Sequence, residues 1–201
     1  MILGKIKKVH FIGIGGIGMS GISELLLNLG FTVSGSDIKM TSITSRLSDK
    51  GAKIYESHDK KNIINSDLVV YSSAINNENI ELVEARKIQI PIVRRAEMLG
   101  ELIKLKNTSI AVSGTHGKTS TTSMMGSILT EALFYPTLIV GGVVKNLNAN
   151  ALLGKGEIIV AEADEFDKSF LQLSPTHSII TNIDSEHLDC YGSKENLVKA
   201  F

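Results

Sequence analysis

Three things are scarce in this chain of 201 residues: it has one cysteine, no net charge, and no apolar run near the ~20 residues that a spanning helix needs. A single thiol, Cys190, excludes an internal disulfide and a thiol-rich zinc site, and goes with a reducing, cytoplasmic location. Lysine plus arginine balances aspartate plus glutamate at 21 each, so no global field draws the chain to nucleic acid or an acidic membrane surface. Internal repeats and low-complexity segments are also lacking. Apolar residues make up 43%, enough to bury a core, and the length suits one large domain or two of ordinary size.

The first residues admit two readings. Lys5, Lys7 and Lys8 precede an apolar run from Val9 to Ile22, which resembles the start of a signal peptide. Against that, five glycines lie between Gly13 and Gly21, and the run continues into Ser23-Glu24 without a small-residue cleavage site. A buried strand followed by a glycine turn accounts better for the same residues.

From there the apolar period alternates between strand and helix. Strands are expected at Lys8 to Ile14, Phe31 to Ser36, Ala52 to Ile54, Asp67 to Ser72 and Ile92-Val93. Helices are expected at Ile17 to Leu29, Thr41 to Lys50 and Asn79 to Lys87, with Gly30 ending the first. Ala96 to Lys104 reads as a helix without a strong core face, and the polar stretch Lys104 to Asn107 marks a domain boundary. Further strands are expected at Ser109 to Val112, Pro136 to Val140, Glu157 to Ala161 and Ser178 to Ile183. A helix is expected from Lys118 to Ala132, and another begins near Ser193. In the first of these stretches, up to Val93, such alternation argues for a parallel sheet with helices on both faces.

The strongest single signal is Gly114-Thr115-His116-Gly117-Lys118-Thr119, placed after one expected strand and before one expected helix. Glycines let the backbone curl so that N–H groups face phosphate oxygens, and the helix N-terminus adds a favourable positive end. Lys118 suits the β- and γ-phosphates and the Thr119 hydroxyl suits Mg²⁺, with Ser120 completing the nucleotide cradle. The spacing is Gly-x-x-Gly-Lys-Thr, a shortened form of the common phosphate loop.

Acidic groups follow at two strand ends. Ile158 to Ala161 delivers Glu162, Asp164 and Glu165 to the edge where ligands bind in open α/β sheets, and a carboxylate there can hold Mg²⁺. One strand later, Asp184, Glu186 and His187 repeat the arrangement, and a neutral His187 imidazole can ligate a metal. His10, His58 and His177 have no such company in the sequence.

A first glycine loop stands near the N-terminus. Gly13-Ile14-Gly15-Gly16-Ile17-Gly18 fits the dinucleotide pattern, and Asp37 follows Gly18 by 19 residues at the end of the second strand. On its own it suggests an NAD enzyme, yet what the pattern offers is a pyrophosphate site, and a UDP-sugar carries a pyrophosphate too. The expected fold is therefore α/β. Residues 1–105 form an N-terminal Rossmann-like parallel-sheet domain, and residues 106–201 an incomplete P-loop ATPase α/β domain.

With these stretches assembled, the chain resembles the Mur ligase family over its whole length. The resemblance rests on Gly13 to Gly21, Ser34-Gly35-Ser36-Asp37, Tyr71 to Ile75, Arg94-Arg95-Ala96-Glu97-Met98-Leu99, Gly114 to Thr119, Glu162 to Glu165 and Asn182 to His187. It implies an ATP- and Mg²⁺-dependent ligase of peptidoglycan precursor synthesis. Such an enzyme phosphorylates the lactyl carboxylate of UDP-N-acetylmuramate and joins the resulting acyl phosphate to L-alanine. The related murein-peptide ligases have a less glycine-rich first loop, which favours the L-alanine class. The resemblance further implies that Gly15, Gly16 and Gly18 face the pyrophosphate, with Asp37, Ser72 and Ser73 at the uridine or diphosphate. Lys118, Glu162 and His187 become the catalytic set, with Thr119, Glu162 and His187 on one or two Mg²⁺ ions. Neither nucleic acid nor membrane is implied as a partner, and oligomeric state is left open.

Two departures stand out. Phe166 occupies a position where the family has a small polar residue, and the family's C-terminal domain and the rest of its ATPase domain have no counterpart here. The expectation is a truncated chain without ligase turnover of its own. Two other readings stand beside the ligase: an NAD-binding oxidoreductase, which has no use for the Gly114 loop, and a UDP-sugar-binding fragment without chemistry.

Overall fold

The computed structural model describes residues 2–144, 149–186 and 188–201, in two compact units, Met1–Glu101 and Leu102–Phe201.

The first unit is a five-stranded parallel sheet. Its strands are β1 (Lys8–Ile12), β2 (Thr32–Ser36), β3 (Lys53–Tyr55), β4 (Leu68–Tyr71) and β5 (Ile92–Arg94), in the order β3-β2-β1-β4-β5. The chain steps outward from β1 to one edge and then returns to build the other half. The carboxyl ends of β1 and β4 therefore flank the point where the topology switches, and a crevice opens there in sheets of this kind. In β1, Val9, Phe11 and Ile12 are buried along with His10, as expected of a strand covered on both faces.

Crossovers in this unit are α1 (Ile17–Asn28), α2 (Ser42–Asp49) and α3 (Ile80–Lys87), followed by α4 (Arg95–Ile103). Helix α1 buries Met19, Ile22, Leu25 and Leu26, and Gly30 at φ +88 lets the chain turn beyond it. A capping box from Thr41 and Thr44 starts α2, while the Asn79 side chain caps α3 by accepting the Glu81 and Leu82 N–H groups. Ile12, Ile63, Val69, Leu82 and Ala85 form a core cluster under Tyr71, Ile75, Ile90 and Ile92.

The second unit has β6 (Thr108–Ser113), α5 (Lys118–Glu131), β7 (Thr137–Val144), β8 (Ala149–Leu152), β9 (Ile158–Glu162) and β10 (His177–Ile180). Two short helices close it, α6 (Leu188–Tyr191) and α7 (Lys194–Ala200). Its strand order is β10-β6-β9-β7-β8, so β6 lies between the two strands whose ends carry the acidic segments. Val112, Leu138, Val140 and Val160 make its core, with Met125 and Leu129 of α5 packed against them.

Several expectations need correcting. The expected strand Pro136 to Val140 runs further: β7 continues through Gly141-Gly142 and pairs antiparallel with β8, so the second sheet is mixed. The paired glycines suggest a break, but a strand closed by a hairpin partner tolerates them. Strand β10 ends at Ile180, so Asn182 and Asp184 belong to the loop after it. Helix α4 does have a core face: Met98, Leu99, Leu102 and Ile103 are buried, and Glu97 and Glu101 between them hid the pattern. No helix among the described residues is long and apolar enough to cross a membrane.

Candidate functional site

In the second unit, β6 delivers Gly114 into a tight place. Its φ is +127, and a Cβ there would lie 2.2 Å from Thr181 Oγ1 and 2.8 Å from the Asn182 carbonyl. Glycine is demanded by backbone sign and by space at once. The loop after β10 holds the phosphate loop in place. Thr115 N–H donates to the Asn182 carbonyl at 3.0 Å, and His116 N–H to Asn182 Oδ1 at 3.0 Å. In return, Thr181 Oγ1 donates to the His116 carbonyl at 2.6 Å, and Asp184 N–H to Thr115 Oγ1 at 2.8 Å.

Two loop amides expected to face phosphate are thus committed to Asn182. The donors left to a ligand by helix geometry lie at the start of α5, where Gly117 at φ +81 is the N-cap and Lys118, Thr119 and Ser120 open the first turn.

Lys118 folds back over the loop. Its Nζ donates to the Gly114 carbonyl at 2.6 Å and the Thr115 carbonyl at 3.1 Å, and pairs with Glu165 Oε2 at 2.8 Å. Glu165 is 2% exposed, and Tyr191 of α6 anchors its backbone by donating to its carbonyl at 2.6 Å. In the sequence Glu165 stands among three acidic residues with no role of its own. The available signal is that a carboxylate destined for burial at this strand end needs a cation, and Lys118 is in the adjacent loop.

Beside this pair, Glu162 ends β9 and reaches across the sheet. Thr119 Oγ1 donates to Glu162 Oε2 at 3.0 Å, and Gly141 N–H to the same oxygen at 2.7 Å. A Cβ at Gly141 would sit 2.7 Å from Glu162 Oε1, so glycine admits the carboxylate. A hydroxyl and a carboxylate at a phosphate loop are the hard oxygen donors that Mg²⁺ takes, one or two from protein and the rest from phosphate and water. These residues fit such an ion without a larger cage, and among the described residues no group of three or more His, Cys, Asp or Glu is placed to hold a metal ion by itself. His187 lies outside the described residues. His116 Nε2, at 3.4 Å from Glu186 and 3.8 Å from Asp184, faces the same acidic loop. Phe166 is exposed and opens a 3₁₀ turn, Phe166–Gln172, its N–H held by Asp164 Oδ1 at 3.2 Å.

In the first unit, the carboxyl ends of β1, β2 and β4 bring the other expected residues together. Gly13 turns at φ +82, and its N–H and that of Ile14 donate to the Ser36 carbonyl at 2.8 and 3.2 Å. Asp37 braces the loop: its Oδ2 accepts the Gly15 N–H at 2.9 Å and its Oδ1 the Lys39 N–H at 3.0 Å. Gly16 leads into α1, and a Cβ at Gly18 would stand 3.0 Å from Arg95 Nη1. Ser72 and Ser73 follow β4, with Ser72 N–H donating to the Ile12 carbonyl at 3.3 Å. Arg95, which has no evident role in the sequence pattern, brings a guanidinium to the third glycine. His10 and His58, isolated in the sequence, both meet the buried carboxylate of Glu81.

Comparison with known proteins matches the profile described as Mur ligase family, catalytic domain, to residues 8–107, and that of the Mur ligase middle domain to residues 112–201. The UDP-N-acetylmuramate–L-alanine ligase of Geotalea uraniireducens is 52% identical over 198 residues, covering 98% of this chain and 43% of that protein. The Aquifex aeolicus ligase of the same name is 54% identical over 201 residues, covering 100% of this chain and 44% of its own length. Among solved structures, UDP-N-acetylmuramate-alanine ligase from Thermotoga maritima superposes with a TM-score of 0.88 at 36% identity, over 96% of this chain and 45% of that one. The UDP-N-acetylmuramate:L-alanyl-gamma-D-glutamyl-meso-diaminopimelate ligase from Neisseria meningitides gives a TM-score of 0.87 at 27% identity, over 98% and 66%. The chain spans less than half the length of these two curated relatives.

Proposed function

Since the chain belongs to the Mur ligase family, we propose that it carries the UDP-sugar and ATP sites of a ligase that joins L-alanine to the lactyl carboxylate of UDP-N-acetylmuramate. ATP would transfer its γ-phosphoryl group to this carboxylate with release of ADP, Mg²⁺ would neutralise the charge of that group, and the amine of L-alanine would attack the acyl phosphate to form the amide and release phosphate. The remaining work falls to this chain's side chains. Gly114, Thr115, His116 and Gly117 shape the cradle, and the first turn of α5 from Lys118 to Ser120 presents N–H donors to phosphate. Lys118 exchanges its loop carbonyls and Glu165 for the charge of the transferring group, while Thr119 and Glu162 hold the metal. His187 is assigned as a second metal ligand on the family pattern.

In the first unit, Gly15, Gly16 and Gly18 face the diphosphate at the start of α1, where the helix end and the Arg95 guanidinium favour negative charge. Asp37 holds the loop and, with Ser72 and Ser73, borders the uridine. A cytoplasmic setting, where such precursors and ATP occur together, goes with this reading.

The observation that carries the proposal is the convergence of Thr119, Glu162 and the Gly141 N–H beside a Gly-Lys-Thr loop. An oxidoreductase has no use for that arrangement. The L-alanine class is supported by 52–54% identity to curated ligases of that name and, among solved structures, by 36% identity to the alanine ligase against 27% to the L-alanyl-gamma-D-glutamyl-meso-diaminopimelate ligase. Calorimetric titration with UDP-N-acetylmuramate, NAD as control, tests the reading. Binding of the UDP-sugar alone is expected, and binding of NAD instead would overturn it.

A further inference from the structure

Beneath the first glycine loop lies a buried charged cluster that the proposed chemistry does not use. Glu81, in the first turn of α3, is 0% exposed. Its Oε2 accepts the Ser36 hydroxyl at 2.5 Å and lies 3.1 Å from His58 Nδ1. Its Oε1 accepts from Asn62 Nδ2 at 2.7 Å and from Asp59 N–H at 3.4 Å, with His10 Nε2 at 3.6 Å. The other nitrogen of His10 is 2.9 Å from Ser34 Oγ.

Glu81 and its partners on β2 come from opposite sides of the central strand. Ser34, Ser36, His58, Asp59 and Asn62 belong to β2 or to the connection between β3 and β4, and His10 to β1 itself. Glu81 sits on the helix that follows β4, so one carboxylate ties the two halves of the sheet together at the switch point. A buried ionic cluster adds little stability over apolar packing of the same volume. What it supplies is direction, because each oxygen has donors at fixed angles.

Ser36 carries that direction into the loop. Its hydroxyl is held by Glu81, and its carbonyl accepts the Gly13 and Ile14 N–H groups. Its neighbours act on the same turn: Asp37 accepts from Gly15, and Gly35 leaves room for Ile14, whose Cδ1 would lie 2.5 Å from an added Cβ. Three consecutive residues at the end of β2 therefore set the positions of Gly13, Ile14 and Gly15.

We propose that Glu81 is a positioning residue for the UDP-sugar site, acting through Ser36 to hold the glycine loop in its diphosphate-binding shape. The proposal rests on the reading of the first loop as that site. A displacement of Ser36 lengthens two backbone hydrogen bonds and rotates the amides that open α1, so affinity for the UDP-sugar falls while the fold survives.

The test uses the 201-residue chain with Glu81→Gln, Ser36→Ala and the double variant, titrated with UDP-N-acetylmuramate, and with ATP as an internal control on the second loop. Each single variant is expected to bind the UDP-sugar about tenfold more weakly, the scale of losing one hydrogen bond to a charged group. The double variant is expected to lose no more than either single one, and ATP affinity to stay unchanged. Losses that multiply in the double variant overturn the proposal, as does a lower urea midpoint with unchanged UDP-sugar affinity. If Glu81→Gln does not fold, Ser36→Ala decides alone, since it keeps the carbonyl: wild-type affinity overturns the proposal. A wild-type chain that does not bind the UDP-sugar refutes the site assignment itself.

Discussion

The two glycine loops follow the same plan, a parallel strand running through glycines into a helix, but they are held in different ways. The first has no lysine and rests on the end of β2 beneath it: the Ser36 carbonyl, with Glu81 holding the Ser36 hydroxyl from behind, and the Asp37 carboxylate. The second is held by the backbone and side chains of residues 181–184, and its own Lys118 closes over it onto Glu165. The contrast suits the proposed division of labour. A loop that only binds needs a fixed shape, while a loop at a phosphoryl transfer needs a mobile charge and a metal seat.

The largest expected effect separates the loops by substituting Gly114 with alanine. The positive φ and the 2.2 Å approach to Thr181 cannot both be relieved, so stability should fall by about 3 kcal/mol or more. ATP binding should be lost while UDP-sugar affinity is retained, as paired titrations and urea unfolding would measure. Equal loss at both loops would erase the contrast.

Acid tests the first loop's support. Burial pushes the Glu81 carboxyl up, but hydrogen bonds from His10, Ser36 and Asn62 and the charge of His10 outweigh it and hold it down to about 2, against an ordinary 4.5. Because the folded value lies below the unfolded one, the stabilisation is fully present above about pH 4.5 and is lost as pH falls towards 2. It is on the order of 3 kcal/mol. Urea midpoints of the wild type should decline across that window, and those of Glu81→Gln should decline less. Parallel curves would show that Glu81 does not carry the acid sensitivity.

A smaller effect is expected at the metal seat. Glu162→Gln keeps a hydrogen-bonding shape for Thr119 and Gly141 but loses the charge, so the Mg²⁺-dependent part of ATP affinity should fall about tenfold. Binding of ATP without metal should change little.

Smallest of all is Gly18→Ala. Its Cβ would press on the far end of Arg95, which can move, so UDP-sugar affinity should weaken by roughly twofold. Helix propensity in α1 should meanwhile hold stability level or raise it slightly.

Much of this architecture is legible locally. Strand and helix periods locate most elements to within a few residues, and the glycine positions mark both loops, since a positive φ or a close approach leaves glycine as the ready choice. Glu162 and Thr119 are legible because a strand end and a phosphate loop each have a known chemical use. The hairpin of β7 and β8 is not, as its glycines read as a break. The core face of α4 is hidden by acidic residues between its apolar ones.

What the chain by itself determined was therefore the order of its elements, the two glycine turns and the residue types offered at each strand end. Only the tertiary structure decided which of those residues meet. Lys118 finds Glu165 across 47 residues of sequence, and Ser36 finds Glu81 across 45. Periodicity speaks of neighbours within a turn or a strand, whereas these partnerships depend on strand order, which long-range packing selects. A carboxylate looks the same in sequence whether water or a buried hydroxyl will hold it, and the fold supplies the difference.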